Sequence, residues 1–369
     1  MRKMSVQSDR LRHIAWFITP HGFGHATRAA AVMAALREFD PATHFHLFTR
    51  APAWLFAQTL PTDVFTHHDL LTDVGLAQRT SLREDLDQTV ARLRDLLPFR
   101  PALVESLADR ALELGCRLVV CDVAALGIAV ARQAGLPSLL LENFTWDWIY
   151  AGYVEREPRL QPFIDLLRAE YARADVHIQT EPVCARSGAA VVIPPISRQP
   201  RLAAQDVRER LGAPADARLV LLTMGGIAHD YAFLSRLGEW TGTFFVIPTS
   251  GVTTRAAANV LMVSQTDQVY HPDLAHACDA VVGKNGYSTT AEVYAAGVPF
   301  GYVMRPGFPE SEVIAAFIDQ HMPAVRFSAE EFDSGAWLAR LPELLALPRR
   351  HPTTLDGAPQ AARKILALL

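Results

Sequence analysis

The chain has 369 residues, half of them apolar, and a formal net charge of -4. This composition is far from that of a disordered chain, and the length suits about two domains of ~150 residues each. The weak acidic balance argues against a nucleic-acid partner. No apolar run approaches the ~20 residues of a membrane span, and no secretion signal is expected at the start.

The four cysteines form no C-x-x-C pair and lie mostly in apolar runs: Cys116, Cys121, Cys184 and Cys278. We interpret them as reduced core thiols and therefore expect a cytoplasmic protein. The basic side chains are nearly all arginines, which makes Lys284 unusual because it lies within a glycine-containing segment. Peripheral association with a membrane stays open.

In the first half of the chain, short apolar runs alternate with helical patterns. Strands are predicted at 14–19, 44–49, 63–67, 118–121, 138–141 and 176–179, and helices at 26–38, 53–58, 82–97, 102–114, 124–134 and 158–173. Such a βα rhythm predicts a parallel sheet with right-handed crossovers. The proline-containing segment 191–195 is predicted to lead out of this domain.

The second half repeats the rhythm from about residue 205. Strands are predicted at 218–224, 244–248, 260–263, 280–282 and 300–303, and helices at 206–211, 272–277, 290–296, 310–320, 332–347 and 360–368. We predict an α/β protein of two Rossmann-like domains, residues 1–196 and 197–369, whose parallel sheets face a cleft. The terminal helix is expected to pack back on the first domain.

The segment from Pro20 to Arg28 joins the first strand to the first helix and contains two glycines and two histidines. Glycine allows backbone angles and close approaches that a side chain forbids. Open α/β sheets bind ligands at the carboxyl ends of their strands, so His21 and His25 are candidate site residues. The spacing differs from the dinucleotide fingerprint G-x-G-x-x-G. The alternative is a plain loop with surface histidines.

Two glycine turns also follow strands in the second half. Gly225-Gly226 follows residues 218–224, and the segment from Gly283 to Glu292 follows residues 280–282. Backbone N–H groups at such turns and at a helix start suit a diphosphate. Ser288, Thr289 and Thr290 could cap the helix and donate to phosphate, and Glu292 could accept hydrogen bonds from vicinal hydroxyls. An ordinary helix cap is the alternative.

These motifs in this order resemble the GT-B glycosyltransferases, in particular their MurG-like and UDP-glycosyltransferase branches. The segments His21–Arg28, Asn143–Ala151 and Gly283–Tyr287 are also similar to the glycosyltransferase-like N-terminal region of plant L-arabinokinases. The sugar-kinase domain of those proteins is absent from this sequence, so kinase activity is not expected.

The resemblance implies a metal-independent glycosyltransferase without a cofactor, acting on a nucleotide-diphosphate sugar, with a UDP-sugar favoured. His25 matches the family's base, with His21 and Asp122 as alternative catalytic residues. The implied donor residues are Gly24, Gly225, Gly226, Lys284, Asn285, Gly286, Ser288, Thr289, Glu292 and Glu310. The family often has an acidic residue and a glutamine near residue 310. Here the glutamine is missing, and Glu310, with Glu312 second, takes the acidic position.

The acceptor, a sugar, lipid or small molecule, is expected at other strand ends of the first domain. Asn143, Trp146 and Asp147 follow a predicted strand, and an exposed tryptophan beside polar groups would suit stacking on a carbohydrate. The alternative is a tryptophan that anchors the loop in the core. Two other functions stay open: a non-catalytic nucleotide-sugar-binding protein and a sugar-nucleotide epimerase of the same fold.

Overall fold

Two seven-stranded sheets organise the protein. A computed structural model describes residues 11–80, 83–225, 231–266, 270–352 and 357–369. In spatial order, the first sheet contains β3 Phe65–His68, β2 Thr43–Phe48, β1 Arg12–Ile18, β6 Cys116–Asp122, β7 Ser138–Glu142, β8 Val176–Thr180 and β9 Val191–Ile193. The second contains β12 Thr254–Ala257, β13 Val260–Ser264, β11 Thr243–Thr249, β10 Arg218–Thr223, β14 Ala280–Lys284, β15 Phe300–Val303 and β16 Ala324–Phe327. A separate hairpin is formed by β4 Gln78–Thr80 and β5 Arg83–Glu84. All strand pairs of the two large sheets are parallel except β12 with β13. The α/β architecture expected from the sequence is confirmed.

Within its described residues, the first half supplies nine strands and seven α-helices. The strands are β1 Arg12–Ile18, β2 Thr43–Phe48, β3 Phe65–His68, β4 Gln78–Thr80, β5 Arg83–Glu84, β6 Cys116–Asp122, β7 Ser138–Glu142, β8 Val176–Thr180 and β9 Val191–Ile193. The helices are α1 Gly24–Phe39, α2 Ala53–Ala57, α3 Leu86–Leu96, α4 Pro101–Glu113, α5 Ala125–Ala134, α6 Trp146–Ala151 and α7 Gln161–Tyr171.

The described residues of the second half supply seven further strands and eight α-helices. The strands are β10 Arg218–Thr223, β11 Thr243–Thr249, β12 Thr254–Ala257, β13 Val260–Ser264, β14 Ala280–Lys284, β15 Phe300–Val303 and β16 Ala324–Phe327. The helices are α8 Ala204–Leu211, α9 Leu234–Leu237, α10 His271–Ala277, α11 Tyr287–Ala296, α12 Pro309–His321, α13 Ala329–Ser334, α14 Leu341–Leu345 and α15 Gly357–Leu366.

Six of the described elements had no counterpart in the sequence prediction: the helices α6 and α9 and the strands β4, β5, β12 and β16. The proline-containing exit segment also includes a strand, β9, which pairs with β8 at the sheet edge. These elements are two to six residues long, so they carry little periodic signal. The capping expectation was wrong as well. Helix α11 begins at Tyr287 after Gly286 and has no side-chain cap.

Each sheet has an apolar cluster on both faces. One cluster of the first sheet contains Trp16, Phe45 and Leu139, and it also contains Ala361 and Ile365 of α15. The end of the chain therefore packs against the first sheet, although α15 follows the whole second sheet in sequence. The last strand of the first sheet ends at Ile193 and α8 starts at Ala204, and the domain boundary at 196/197 stays a prediction.

The strand order places the carboxyl ends of four strands at one cleft. In the first sheet the order reverses between β1 and β6, and in the second between β10 and β14. Ligands of open α/β sheets bind in the crevice at such reversals. The loops after β1 and β10, together with Asp122 and Lys284 at the ends of β6 and β14, therefore converge on the space between the sheets.

Candidate functional site

The turn between β1 and α1 approaches the second sheet closely. Gly22 has a φ of 72°, which suits glycine because it lacks a Cβ atom. A Cβ atom added to Gly24 would lie 3.4 Å from the hydroxyl oxygen of Ser288 on α11. The two predicted glycine turns therefore face each other across the cleft.

His25 lies in the first turn of α1 and contacts the end of β6. Its Nδ1 lies 2.8 Å from Oδ1 of Asp122, and both residues are buried. Val123, directly after Asp122, has a φ of 62°, an unfavourable angle for a β-branched residue. Backbone strain of this kind is found at functional sites.

Arg28 neutralises the buried Asp122. Its Nε donates to Oδ2 of Asp122 at 2.9 Å, and its Nη2 donates to Oδ1. Burial alone would raise the pKa of Asp122, but Arg28 and His25 outweigh burial and lower it. An ionised carboxylate only accepts hydrogen bonds. Nδ1 of His25 also lies 3.1 Å from Nη2 of Arg28, which can only donate, but the shorter contact is with the carboxylate, and we therefore assign the Nδ1 proton to the hydrogen bond with Asp122.

This bond leaves the lone pair of His25 on Nε2. Burial lowers the pKa of His25, and the hydrogen bond with Asp122 only partly opposes that effect. The imidazole is consequently neutral near pH 7 and can accept a proton. Asp122 itself has both oxygens occupied and is fully buried. Its geometry fits a residue that positions His25, rather than one that receives a substrate proton directly.

The network continues across the cleft to the second sheet. Arg28 Nη1 donates to Oδ1 of Asn143 at 2.6 Å, and Asn143 Nδ2 donates to Oε1 of Glu310 at 2.7 Å. Burial raises the pKa of Glu310. Glu310 faces the cleft, whereas Glu312, two residues along α12, is exposed.

His21 lies beside His25 but has a different environment. Its ring packs edge-on against Trp146 at 5.2 Å, and a Cβ atom on Gly75 would approach its Nδ1 to 2.6 Å. Its pKa is lowered well below the usual value, first by burial and then by Arg305, His25 and Lys284. No carboxylate of the described residues pairs with it. His25 is thus the better oriented of the two bases.

The cleft has two adjoining compartments, which we name after Glu292 and His25. They comprise about 590 and 750 Å3, including space open to solvent, which is within the size range of ligand sites. The Glu292 compartment is lined by Phe23, Trp54, Gln58, Arg198, Gly225, Pro248, Gln265, His271, Ser288, Thr289 and Glu292. The His25 compartment is lined by His21, Phe23, Gly24, His25, Arg28, Gln78, Phe144, Gly225, Lys284, Asn285, Gly286, Ser288, Thr289, Arg305 and Glu310.

Ser288, Thr289 and Gly225 line both compartments and form their junction. The amides in the first turn of α11 have no intrahelical acceptor, because the first N–H groups of a helix point outward. Lys284 lies between the glycine turns at Gly225 and Gly286: a Cβ atom placed on Gly225 would be 4.0 Å from its Nζ. Burial, then Arg305, lowers the pKa of Lys284 to about 8. The junction therefore presents N–H groups, hydroxyls and an ammonium; Gly226 lies outside the described residues.

Glu292 is held between two basic side chains. Its Oε1 accepts from Arg198 Nε at 2.9 Å, and its Oε2 accepts from His271 Nδ1 at 2.6 Å. Arg198 also stacks on Tyr270, 4.9 Å from the ring centroid. Burial alone would raise the pKa of Glu292, but Arg198 and His271 lower it. The carboxylate is thus ionised and fixed at the wall of its compartment.

The expected acceptor residues do not face the cleft. Asn143 is fully buried, and Trp146 is only 1 % exposed and donates to Asp73 at 3.3 Å. The expectation of an exposed, stacking tryptophan was wrong, because α6 turns Trp146 into the apolar core. Asp147 lies 3.5 Å from Arg168 of α7. Phe144 is the residue of this segment that lines the His25 compartment.

Sequence reasoning missed several residues of the site. Arg28 had been noted only as part of the first glycine segment, although it lies three positions after His25 and hence on the same helix face. Arg198, His271 and Arg305 carried no motif at all. Asp73 was also missed. Burial raises its pKa to about 7, and it accepts a hydrogen bond from Thr19 at 2.6 Å beneath the β1 turn.

The described ranges contain no group of three or more His, Cys, Asp or Glu side chains placed to hold a metal ion. In the same ranges, no helix combines the length and apolar character needed to cross a bilayer. All four cysteines are free thiols, and Cys116, Cys121 and Cys278 are buried.

Solved structures of glycosyltransferases share this architecture over almost their whole length. The glycotransferase of kitacinnamycin has a TM-score of 0.65 at 16 % identity and covers 98 % of this chain and 100 % of its own. This chain has the GT-B fold. UGT89C1 from Arabidopsis thaliana, solved with UDP, has a TM-score of 0.61 at 14 % identity, and the match covers 96 % of this chain and 94 % of UGT89C1. MurG from Acinetobacter baumannii has a TM-score of 0.54 at 15 % identity, and the match covers 96 % of this chain and 99 % of MurG.

A similarity at sequence level agrees with the GT-B resemblance. The L-arabinokinase of Arabidopsis thaliana is 26 % identical over 359 residues, which cover 94 % of this chain. The matched part is 33 % of the Arabidopsis protein, so this chain spans about a third of that relative. No protein-family model matches the chain.

Proposed function

We propose that this protein transfers a glycosyl group from a nucleotide-diphosphate sugar to an acceptor hydroxyl. The observation that carries the proposal is the arrangement of three groups along one cleft. The buried carboxylate of Glu292 lies in the Glu292 compartment. The junction at Ser288 and Gly225, which suits a diphosphate, separates it from the His25 compartment, where His25 lies. This order matches a ribose, a diphosphate and a reacting sugar.

The junction suits the leaving group. When the glycosyl bond breaks, the diphosphate gains negative charge, which N–H groups at a helix start and a nearby ammonium stabilise. Lys284 and the first turn of α11 would supply these groups. The complex of UGT89C1 with UDP makes a uridine nucleotide the first donor to test.

His25 is assigned as the base. Asp122 fixes its tautomer at 2.8 Å, so the free Nε2 can take the proton of the acceptor hydroxyl as the new bond forms. Arg28 would have a positioning role, because it holds Asp122 by two hydrogen bonds and Asn143 by a third. The acceptor would enter beside Phe144, without a direct bond to Asn143.

The test begins with ligand-dependent melting. A ligand that binds only the native state raises stability by about 2.7 kcal/mol at a hundredfold excess over Kd. UDP, dTDP and GDP are compared with uridine, which lacks the diphosphate. We expect a nucleoside diphosphate to stabilise the protein and uridine not to stabilise it. The protein should also hydrolyse the nucleotide-sugar donor slowly, and His25→Gln should abolish this hydrolysis. If no diphosphate stabilises the protein, the proposed function is refuted.

A further inference from the structure

The His25 compartment contains a buried cation that the proposed diphosphate does not explain. Arg305 follows β15 and is only 4 % exposed, yet it lines this compartment. Within the described residues no carboxylate lies within ion-pair distance of its guanidinium. Buried charges in proteins are normally paired, because removing an unpaired charge from water is costly.

The other charged groups facing this space leave it positive. Arg28 is paired with Asp122, and Glu310, which accepts a hydrogen bond from Asn143 at 2.7 Å, is a single carboxylate facing the two cations Arg305 and Lys284. Glu84, near Arg305, is held by Arg156 at 2.9 Å. The remaining cation, Lys284, lies at the phosphate junction.

Arg305 lies on the far side of that junction from Glu292. It lines the His25 compartment and not the Glu292 compartment, whereas Ser288 lines both. A nucleotide with its ribose at Glu292 and its diphosphate at Ser288 would therefore place its sugar, and not its phosphates, near Arg305.

The guanidinium is also held in a fixed orientation. It stacks over the ring of Phe308, 4.3 Å from the centroid. When the Gln78 amide is oriented with its oxygen towards Arg305, that oxygen accepts hydrogen bonds from Nη1 at 3.1 Å and from Nη2 at 3.3 Å. Nε has no acceptor. A planar, stacked guanidinium with an unbalanced charge is suited to an oxyanion.

Resting on the proposed function, we infer that the transferred sugar carries a carboxylate, so that the donor is a nucleotide-linked uronic acid. The carboxylate would balance the charge of Arg305, while Glu310 and Gln78 would face neutral hydroxyls of the sugar.

Binding of matched donors tests the inference. UDP-glucuronic and UDP-galacturonic acid are compared with UDP-glucose and UDP-galactose by calorimetry; if the melting screen selects dTDP or GDP, the corresponding pairs are used. We expect the uronic acids to bind roughly 10- to 100-fold more tightly, the range for a hydrogen bond to a charged group. Arg305→Gln should remove this preference, with little change in affinity for the nucleoside diphosphate alone.

Arg110→Gln is the control. Arg110 is an exposed arginine of α4 that is paired with Glu113 at 3.2 Å, so its loss removes the same charge without changing a residue that lines the His25 compartment. Equal affinity for acidic and neutral sugars, or a preference that survives Arg305→Gln, would overturn the inference while leaving glycosyl transfer intact. If free glucuronate binds the UDP complex and the uronosyl donor has no advantage, the carboxylate belongs to the acceptor and the donor assignment fails. If no nucleotide binds, the proposed function fails first.

Discussion

Glu292→Gln tests whether the Glu292 compartment holds a ribose. The carboxylate accepts one hydrogen bond on each oxygen, from Arg198 at 2.9 Å and from His271 at 2.6 Å. Two carboxylate oxygens together offer about four acceptor sites. Each oxygen therefore keeps one site for one of two vicinal hydroxyls. Glutamine has a single carbonyl oxygen and turns an NH2 group towards donors, so it cannot serve both hydroxyls.

The size of the effect follows from the lost charge-assisted bonds. Hydrogen bonds to a charged group contribute about 1.5–3 kcal/mol, which corresponds to roughly 10- to 150-fold in affinity. The fold also loses stability, because Arg198 is buried and loses its ionic partner. Breaking such a pair costs up to about 3–5 kcal/mol. Glutamine should cost less than alanine, since it keeps an acceptor for Arg198.

The assay is a titration of wild type and Glu292→Gln with UDP and 2′,3′-dideoxy-UDP. The four dissociation constants form a cycle that isolates the coupling between the carboxylate and the hydroxyls. Wild type should prefer UDP, and the variant should bind both ligands alike. Glu312→Gln, on the exposed side of α12, serves as the control. The ribose assignment is refuted if a folded variant keeps the full preference for UDP.

Three further outcomes are expected. His25→Gln should lower turnover by about 10²–10⁴-fold, the usual contribution of a general base, with His21→Gln doing less; the reverse ranking in kcat would exchange their roles. Burial, and after it the neighbouring histidines, lowers the pKa of His46 to about 3, so protonation of this residue in the unfolded chain reduces the stability of the fold as the pH falls below about 6.5. The melting temperature of His46→Phe should therefore decline less between pH 7.5 and 5 than that of the wild type. Parallel declines of the two proteins would contradict this. Tyr287→Phe should destabilise the protein by about 1–3 kcal/mol in urea, because its hydroxyl contacts Thr180 at 2.7 Å and the Ile196 amide at 3.1 Å; an unchanged midpoint would show that these contacts contribute nothing.

Much of the fold could be predicted from local patterns. Buried parallel strands are continuous apolar runs, and helices such as α4 and α5 begin and end near proline or glycine, so their positions follow from neighbouring residues. The glycine turns were also visible, because strands followed by glycine and then by a helical pattern predict ligand-binding loops. Edge strands such as β12 and the short helix α6 lacked such signals.

The sequence alone thus determined the two-sheet architecture, the glycine turns and the candidate role of Glu292, because each depends on residues close together in the chain. The tertiary structure decided which side chains surround them. Arg28 and Asp122 are 94 positions apart, and Asn143 and Glu310 are 167 apart, yet both pairs are hydrogen-bonded. It also buried Trp146 and, among the residues that the structure describes, left Arg305 without a carboxylate within ion-pair distance. Pairing and burial of this kind depend on how the two sheets pack together, which no local periodicity encodes.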